Sequence, residues 1–220
     1  GGVGSFAAEF ICRSGIGEMT IVDGDVVDPS NRNRQLPALA TNHGVSKVEI
    51  MEERLLAINP ELKLHVVQDF LTPQRCREIL TTKFDYVMDC IDSITPKVTL
   101  LSTALQFNLP IVSSMGAGGK VDPSQIKVTD ISKTYICNLA KYVRKRLQSM
   151  GIKKGLKVVF SPEKADQDKI IVTEKAFPKK SIIGTLSYMP AIFGCMCASV
   201  VIRELYGSAV TEEPASIHQD

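Results

Sequence analysis

Four stretches of this sequence carry residue types that handle a nucleoside triphosphate. Gly1-Gly2-Val3-Gly4 runs into a segment of helical pattern. Missing side chains there let the backbone close on an anion, and the helix N-terminus adds unpaired N–H donors. Asp23 ends the next apolar run about 20 residues on, where a nucleotide-binding fold places a carboxylate for ribose hydroxyls. A dinucleotide dehydrogenase would satisfy both features. Ser30-Asn31-Arg32-Asn33-Arg34-Gln35, followed by Lys47 at a helix start, separates the two readings. Adenylyl transfer expels pyrophosphate as negative charge builds on the phosphates, and a guanidinium fork with a lysine point charge stabilises that transition state. Hydride transfer needs no such clamp. Asp89-Cys90-Ile91-Asp92-Ser93 then ends another apolar run, and Asp92 there could hold Mg²⁺ against phosphate oxygens.

Elements that alternate between two periods must position these groups. Helical spacing covers residues 5–13, 48–58 (Val48, Met51, Leu55 and Ile58, stopped by Pro60), 73–80 and 97–107. Short apolar runs at 19–22, 62–67, 86–90 and 110–113 read as strands. Ser46-Lys47-Val48-Glu49 has the spacing of a capping box. Strands alternating with helices predict right-handed βαβ units in an α/β, Rossmann-like doubly wound, mainly parallel sheet, with ligands beyond the strands' carboxyl ends. The C-terminal part is an irregular α+β region: a strand at 125–128, a basic helix at 139–150, strands at 158–160 and 170–172, and an apolar helix at 188–205. One domain is expected over residues 1–207, with a disordered tail at 208–220.

Composition narrows the classes without choosing among them. At 220 residues and 44% hydrophobic the chain can bury a substantial core, and its formal net charge of +2 argues for no polyanionic partner by itself. The six cysteines form no Cys-x-x-Cys pair, which fits reduced thiols in a cytosol-like compartment. The apolar stretch at 189–202 falls short of the roughly 18 residues of a membrane span, so no membrane contact is expected within this sequence. The sequence opens at Gly1 without a methionine or a charged-then-apolar stretch to set aside, and because a glycine loop of this kind normally follows a strand, a segment ahead of Gly1 is expected.

Taken together, these motifs resemble the ThiF/MoeB/ubiquitin-activating superfamily. Gly-Gly-Val-Gly-Ser, Ile-Val-Asp-Gly-Asp-Val-Val, Ser-Asn-Arg-Asn-Arg-Gln, Lys47 with Ile58-Asn59-Pro60, and Asp89 to Ser93 carry the likeness. Asp85-Tyr86-Val87-Met88-Asp89, Gly116 to Pro123 and Val128 to Thr134 look like its TcdA group, the tRNA threonylcarbamoyladenosine dehydratases. The resemblance implies that Gly1, Gly2, Gly4 and Asp23 hold the adenosine and ribose of ATP, while Asn31, Arg34 and Lys47 hold its phosphates. Gln35 and Ser93 complete that pocket, Asp92 takes Mg²⁺, and Gly116, Ala117, Gly118 and Gly119 face the substrate. Arg34, Lys47 and Asp92 would be the catalytic groups. The implied reaction activates the threonyl carboxylate of threonylcarbamoyladenosine, beside the tRNA anticodon, as an acyl adenylate that an internal nitrogen closes. The tethered nitrogen has a high effective molarity, so no enzyme nucleophile is needed.

The resemblance further implies a strand and a glycine ahead of Gly1, a homodimer, and sulfur-relay protein partners. It also implies a cytoplasmic location, or the mitochondrial outer membrane if an N-terminal segment anchors a eukaryotic relative. Without Cys-x-x-Cys zinc pairs, the TcdA branch is favoured over activation of the C-terminus of a ubiquitin-like or sulfur-carrier protein. A non-catalytic relative is the third reading.

Each motif also has a plain alternative. The glycines could be a tight turn and the aspartates strand-end caps, and Arg32 is more readily a solvated side chain than Arg34. A lysine in a first helical turn opposes the dipole, so Lys47 there is better explained by a bound anion. Lys141, Arg144, Lys145, Arg146, Lys153, Lys154 and Lys157 form a dense basic run, read evenly as a solvated face or as phosphate contacts. Cys90, Cys195 and Cys197 read as small core residues, and His43, His65 and His218 are too scattered for catalysis.

Overall fold

The computed structural model describes residues 1–164, 170–172 and 181–212. Helices and strands alternate as α1 (Gly4–Arg13), β1 (Glu18–Val22), α2 (Lys47–Ile58), β2 (Lys63–Val67), α3 (Pro73–Leu80), β3 (Val87–Asp89), α4 (Ile94–Gln106) and β4 (Ile111–Ser114). There follow β5 (Lys127–Asp130), α5 (Asn138–Ser149), β6 (Lys157–Phe160), β7 (Ile170–Val172), β8 (Ser181–Ile183) and α6 (Tyr188–Glu212). Strands β1 and β2 pair in parallel, and a second sheet has the order β3-β4-β6-β5 with only β5 antiparallel. Strands β7 and β8 form an antiparallel ribbon. This is the Rossmann-like α/β arrangement that the alternation predicts.

Strand period two builds the core. Ile111 and Val158 belong to the apolar cluster that packs α3, α4 and α5 on one face, while their neighbours Val112 and Val159 belong to the cluster that packs α6 on the other. Each fully buried valine contributes about 1.5–3 kcal/mol. All of β4 is buried, as expected of a central strand covered on both faces. A third cluster, with Cys12, Met51, Leu55 and Leu62, joins α1 and α2.

Helix α6 packs on α1, and Gly194 sets how close it comes. A Cβ there would meet Val3 O at 2.6 Å and Ala7 N at 3.0 Å, so only glycine permits this backbone approach. Over Tyr188–Gly207, 20 residues, α6 is long and apolar enough to cross a membrane by length and composition. That corrects the expectation of a stretch too short to span. Met189, Phe193, Cys197 and Val200 nevertheless lie in the core.

Several expected boundaries differ. Helix α4 begins at Ile94 rather than 97, because Pro96 sits in the first turn, where no intrahelical N–H is needed. Strand β5 starts at Lys127 because Asp122 caps a 3₁₀ turn at Pro123–Gln125. The capping box at Ser46 does not form: its Oγ is buried without a hydrogen-bond partner among the described residues. Helix α6 continues through Gly207 to Glu212, so residues 208–212 of the expected tail are helical. A single glycine costs a helix about 1 kcal/mol, which does not end one already anchored in the core. Residues 213–220 lie outside the described ones.

Candidate nucleotide-binding and active site

The motif residues collect at the carboxyl ends of β1 and β3. Gly1 and Asp23 meet directly, the Gly1 amino group lying 3.0 Å from Asp23 Oδ2, and Asp25 N–H donates to Asp23 Oδ1 at 3.0 Å. Gly2 lies under Arg34: a Cβ on Gly2 would stand 3.2 Å from Arg34 O and 3.6 Å from its Cγ. Gly4 lies on the end of β3, where a Cβ would reach Cys90 Cβ at 3.3 Å. The glycine turn thus touches the Arg34 segment through Gly2 and the β3 end through Gly4, at contacts that a Cβ would crowd.

The loop from Asp28 to Gln35 is a built turn. Asp28 caps a 3₁₀ turn at Pro29–Asn31 and accepts from Ser30 N–H at 2.8 Å, while Asn31 Oδ1 accepts from Asp28 N–H at 3.1 Å. Asn31 is buried, and its side-chain oxygen is therefore used in shaping the loop. Arg34 Nη1 donates to Ser30 O at 2.9 Å and to Asn33 Oδ1 at 2.8 Å, which fixes the guanidinium across the turn. Arg32 is exposed and donates through Nε to Pro29 O at 3.3 Å. Gln35 Oε1 is buried without a partner among the described residues.

Lys47 opens α2 with its side chain 5% exposed, and its Nζ lies 2.9 Å from Asp25 Oδ2. Its backbone N–H also donates to Asp25 O at 3.1 Å. Asp25 is thus the partner that fixes this cation beneath the glycine turn. Sequence reading missed its role, although the Asp-Gly-Asp spacing was visible.

At the β3 end the two aspartates divide. Asp89 is fully buried and pairs with Lys97 Nζ at 2.6 Å, both side chains being 0% exposed. It also accepts from Ser113 Oγ and from Ile91 N–H at 3.0 Å. Lys97 donates further to Ile91 O at 2.7 Å. Lys97 thereby locks the turn that presents Asp92, which is exposed. No group of three metal-ligating side chains occurs among the described residues. One exposed carboxylate at a phosphate site still fits Mg²⁺, which takes one or two carboxylates and completes its shell with phosphate oxygens and water. Ser93, the N-cap residue of α4, makes no capping bond to that helix; its Oγ lies 3.4 Å from Asp92 Oδ1. Burial, reinforced by Asp89, pushes the Cys90 thiol up to about 12, so it is no nucleophile.

The loop after β4 divides as well. A Cβ on Gly116 would approach Leu139 Cβ at 3.7 Å, which places Gly116 at the start of α5. Ala117 is buried in the cluster with Met189 and Phe193 and faces the core. Gly119 N–H donates to Gly184 O at 2.8 Å, and Asn33 Nδ2 donates to Thr185 O at 2.9 Å. Two consecutive residues before α6 therefore hold both the phosphate-side turn and the Gly116–Gly119 loop. Lys120, buried, donates to Ser161 O at 3.1 Å and Glu163 O at 2.6 Å. This clamp too was not foreseen. A shallow depression of about 340 Å³ lined by Val128, Asp130, Lys133 and Lys157 includes none of the residues assigned to ATP, Mg²⁺ or the Gly116–Gly119 loop.

The model of the ThiF family matches residues 1–219. The tRNA threonylcarbamoyladenosine dehydratase of Escherichia coli K12 is 38% identical over 229 residues, covering 96% of this chain and 85% of the relative. That of Bacillus subtilis is 39% identical over 212 residues, covering 93% and 84%. The crystal structure of the E. coli dehydratase in complex with ATP superposes with a TM-score of 0.88 at 37% identity, over 97% of this chain and 85% of that one. With the glycine turn, the Asn31–Gln35 segment, the Lys47 pair and the β3 carboxylate in the order that resemblance to the superfamily implies, the chain belongs to the ThiF family.

Proposed function

We propose that this chain is an ATP-dependent enzyme that adenylates the threonyl carboxylate of threonylcarbamoyladenosine in tRNA and lets it cyclise with loss of water. The observation that carries this reading is the near full-length likeness to tRNA threonylcarbamoyladenosine dehydratases, joined to a site that holds two cations beside a glycine turn. In the first step a carboxylate oxygen attacks the α-phosphorus of ATP and the bond to pyrophosphate breaks. Arg34 and Lys47 stabilise the charge that gathers on the departing phosphates. In the second step the tethered nitrogen attacks the acyl carbon, the bond to AMP breaks, and the nitrogen loses its proton. Asp92 is the residue that would hold Mg²⁺, which supplies charge neutralisation at the phosphates. Asp23 is the residue expected to bind the ribose.

Gly116, Gly118 and Gly119 present the substrate side, with a second copy of the chain as the expected partner and the cytoplasm as the expected location. Incubating the full-length protein with ATP, Mg²⁺ and tRNA bearing the modified adenosine should yield AMP and a nucleoside lighter by one water in mass spectrometry. AMP formation supported only by a protein tail would overturn the reading.

A further inference from the structure

Residues 131–162 contain eight lysines and arginines and no aspartate or glutamate. The whole chain has a formal charge of +2, so everything outside this segment is net negative by six. This concentration of charge is spatial as well as sequential. Helix α5 buries Ala140, Val143 and Leu147, which leaves Lys141, Lys145 and Arg146 exposed on its outer side. Lys153 and Lys154 are exposed in the turn that follows. Two other cations of the segment are already engaged: Arg144 donates to Thr134 O at 2.8 Å, and Lys157 pairs with Glu204. Lys133, also exposed, acts on Asp130; the other five exposed ones make no ion pair with any described residue.

The strip has a direction. Leu139, in the first turn of α5, lies against Gly116 of the substrate-side loop. From Leu139 to Arg146 the helix advances about 10 Å. Positive charge therefore begins at the candidate substrate entrance and runs away from it. Lys141 and Lys145, four residues apart, stand about 6 Å from one another on one face. A small-molecule carboxylate could not reach such a row, whereas a polyanion whose modified base enters the site could lie along it. Asn138, Gln148 and Ser149, also exposed, add hydrogen-bonding groups suited to phosphates and sugars rather than to an apolar membrane layer.

Resting on the tRNA reading above, we propose that the outer face of α5 and the α5–β6 turn form the surface that binds the tRNA phosphate backbone. The full chain carrying Lys141→Glu, Lys145→Glu and Arg146→Glu tests this by fluorescence anisotropy with tRNA at several KCl concentrations. The expected result is at least a tenfold rise in Kd. The slope of log K against log salt should become shallower by about 2–3, the value for three lost phosphate contacts. ATP binding, measured by calorimetry, should not change, which separates loss of the surface from loss of the fold. The milder Lys153→Gln/Lys154→Gln variant should shift the slope by about 1–2.

A triple variant with the Kd and salt slope of the parent protein would overturn the proposal, as would tighter binding of the parent to phosphatidylserine vesicles than to tRNA. Failure of the reading beneath it looks different: the parent protein would itself dehydrate no modified tRNA.

Discussion

Lys47 and Lys97 lie inside the first half of the chain, each against a carboxylate, whereas Lys141, Lys145, Arg146, Lys153 and Lys154 stand exposed in the second half without an ion pair to a described residue. The contrast follows from what each cation must do. A charge that meets a phosphate inside a site must be fixed beforehand, because reorganisation during the reaction would forfeit the stabilisation. Asp25 does that fixing for Lys47, while Asp89 and Lys97 neutralise one another in the core and hold the turn before Asp92. A charge that gathers a flexible polyanion from solution gains more from exposure, where its field reaches outward and counterions are released on binding. The parallel strands of the first half deliver short, buried turns suited to the first task. The helix-and-turn surface of the second half suits the other.

The sharpest way to break this contrast is to remove a buried cation. Lys97→Met leaves Asp89 charged and uncompensated in the core, and should cost about 3–5 kcal/mol. In a thermal melt that corresponds to a fall of about 10 °C for a domain of this size. Adding Asp89→Leu should recover much of the loss; no recovery would mean that the pair does more than neutralise itself. Next in size is Arg34→Ala, expected to slow AMP formation by about 10²–10³-fold while the affinity for tRNA stays near that of the parent. Equal losses in both would erase the division between the halves.

Gly194→Ala probes a joint common to both halves. Its new methyl would meet Val3 O, and a repacking cost of about 1–3 kcal/mol should appear with weakened ATP binding, read by calorimetry. The smallest effect belongs to Ser46→Ala. A true N-cap serine contributes about 0.5–2 kcal/mol, but this hydroxyl caps nothing, so urea unfolding should move by less than about 0.5 kcal/mol. A larger loss would restore the capping box.

Much of the fold was legible in the sequence because its signals are local. The pattern Val48, Met51, Leu55, Ile58 ends at Pro60 as α2 ends at Ile58, and α3 spans the residues that Pro73 and the apolar spacing mark out. The site's address was legible for the same reason, since Asp23 and Asp92 each follow a strand. What was hidden lies in pairings across the fold. Nothing near Lys97 announces that Asp89 is its counter-charge rather than a metal ligand, and nothing near Lys120 announces the carbonyls of Ser161 and Glu163. Asn33, read only as a link in a basic motif, holds a carbonyl 152 positions away. Such contacts depend on topology, which hydrophobic period does not encode.

The approach of α6 to α1 at Gly194 and Val3, together with Pro190 beside Gly2, has a consequence for how the protein is made. The glycine turn and α6 complete one another although they lie far apart in sequence, so the nucleotide pocket cannot exist until α6 has been made. At about 5–20 residues per second, roughly 10–40 s separate the emergence of the glycine turn from that of the helix that backs it. An incomplete chain therefore carries the phosphate-binding motifs but lacks the wall behind them. The pocket is therefore walled only once α6 has left the ribosome.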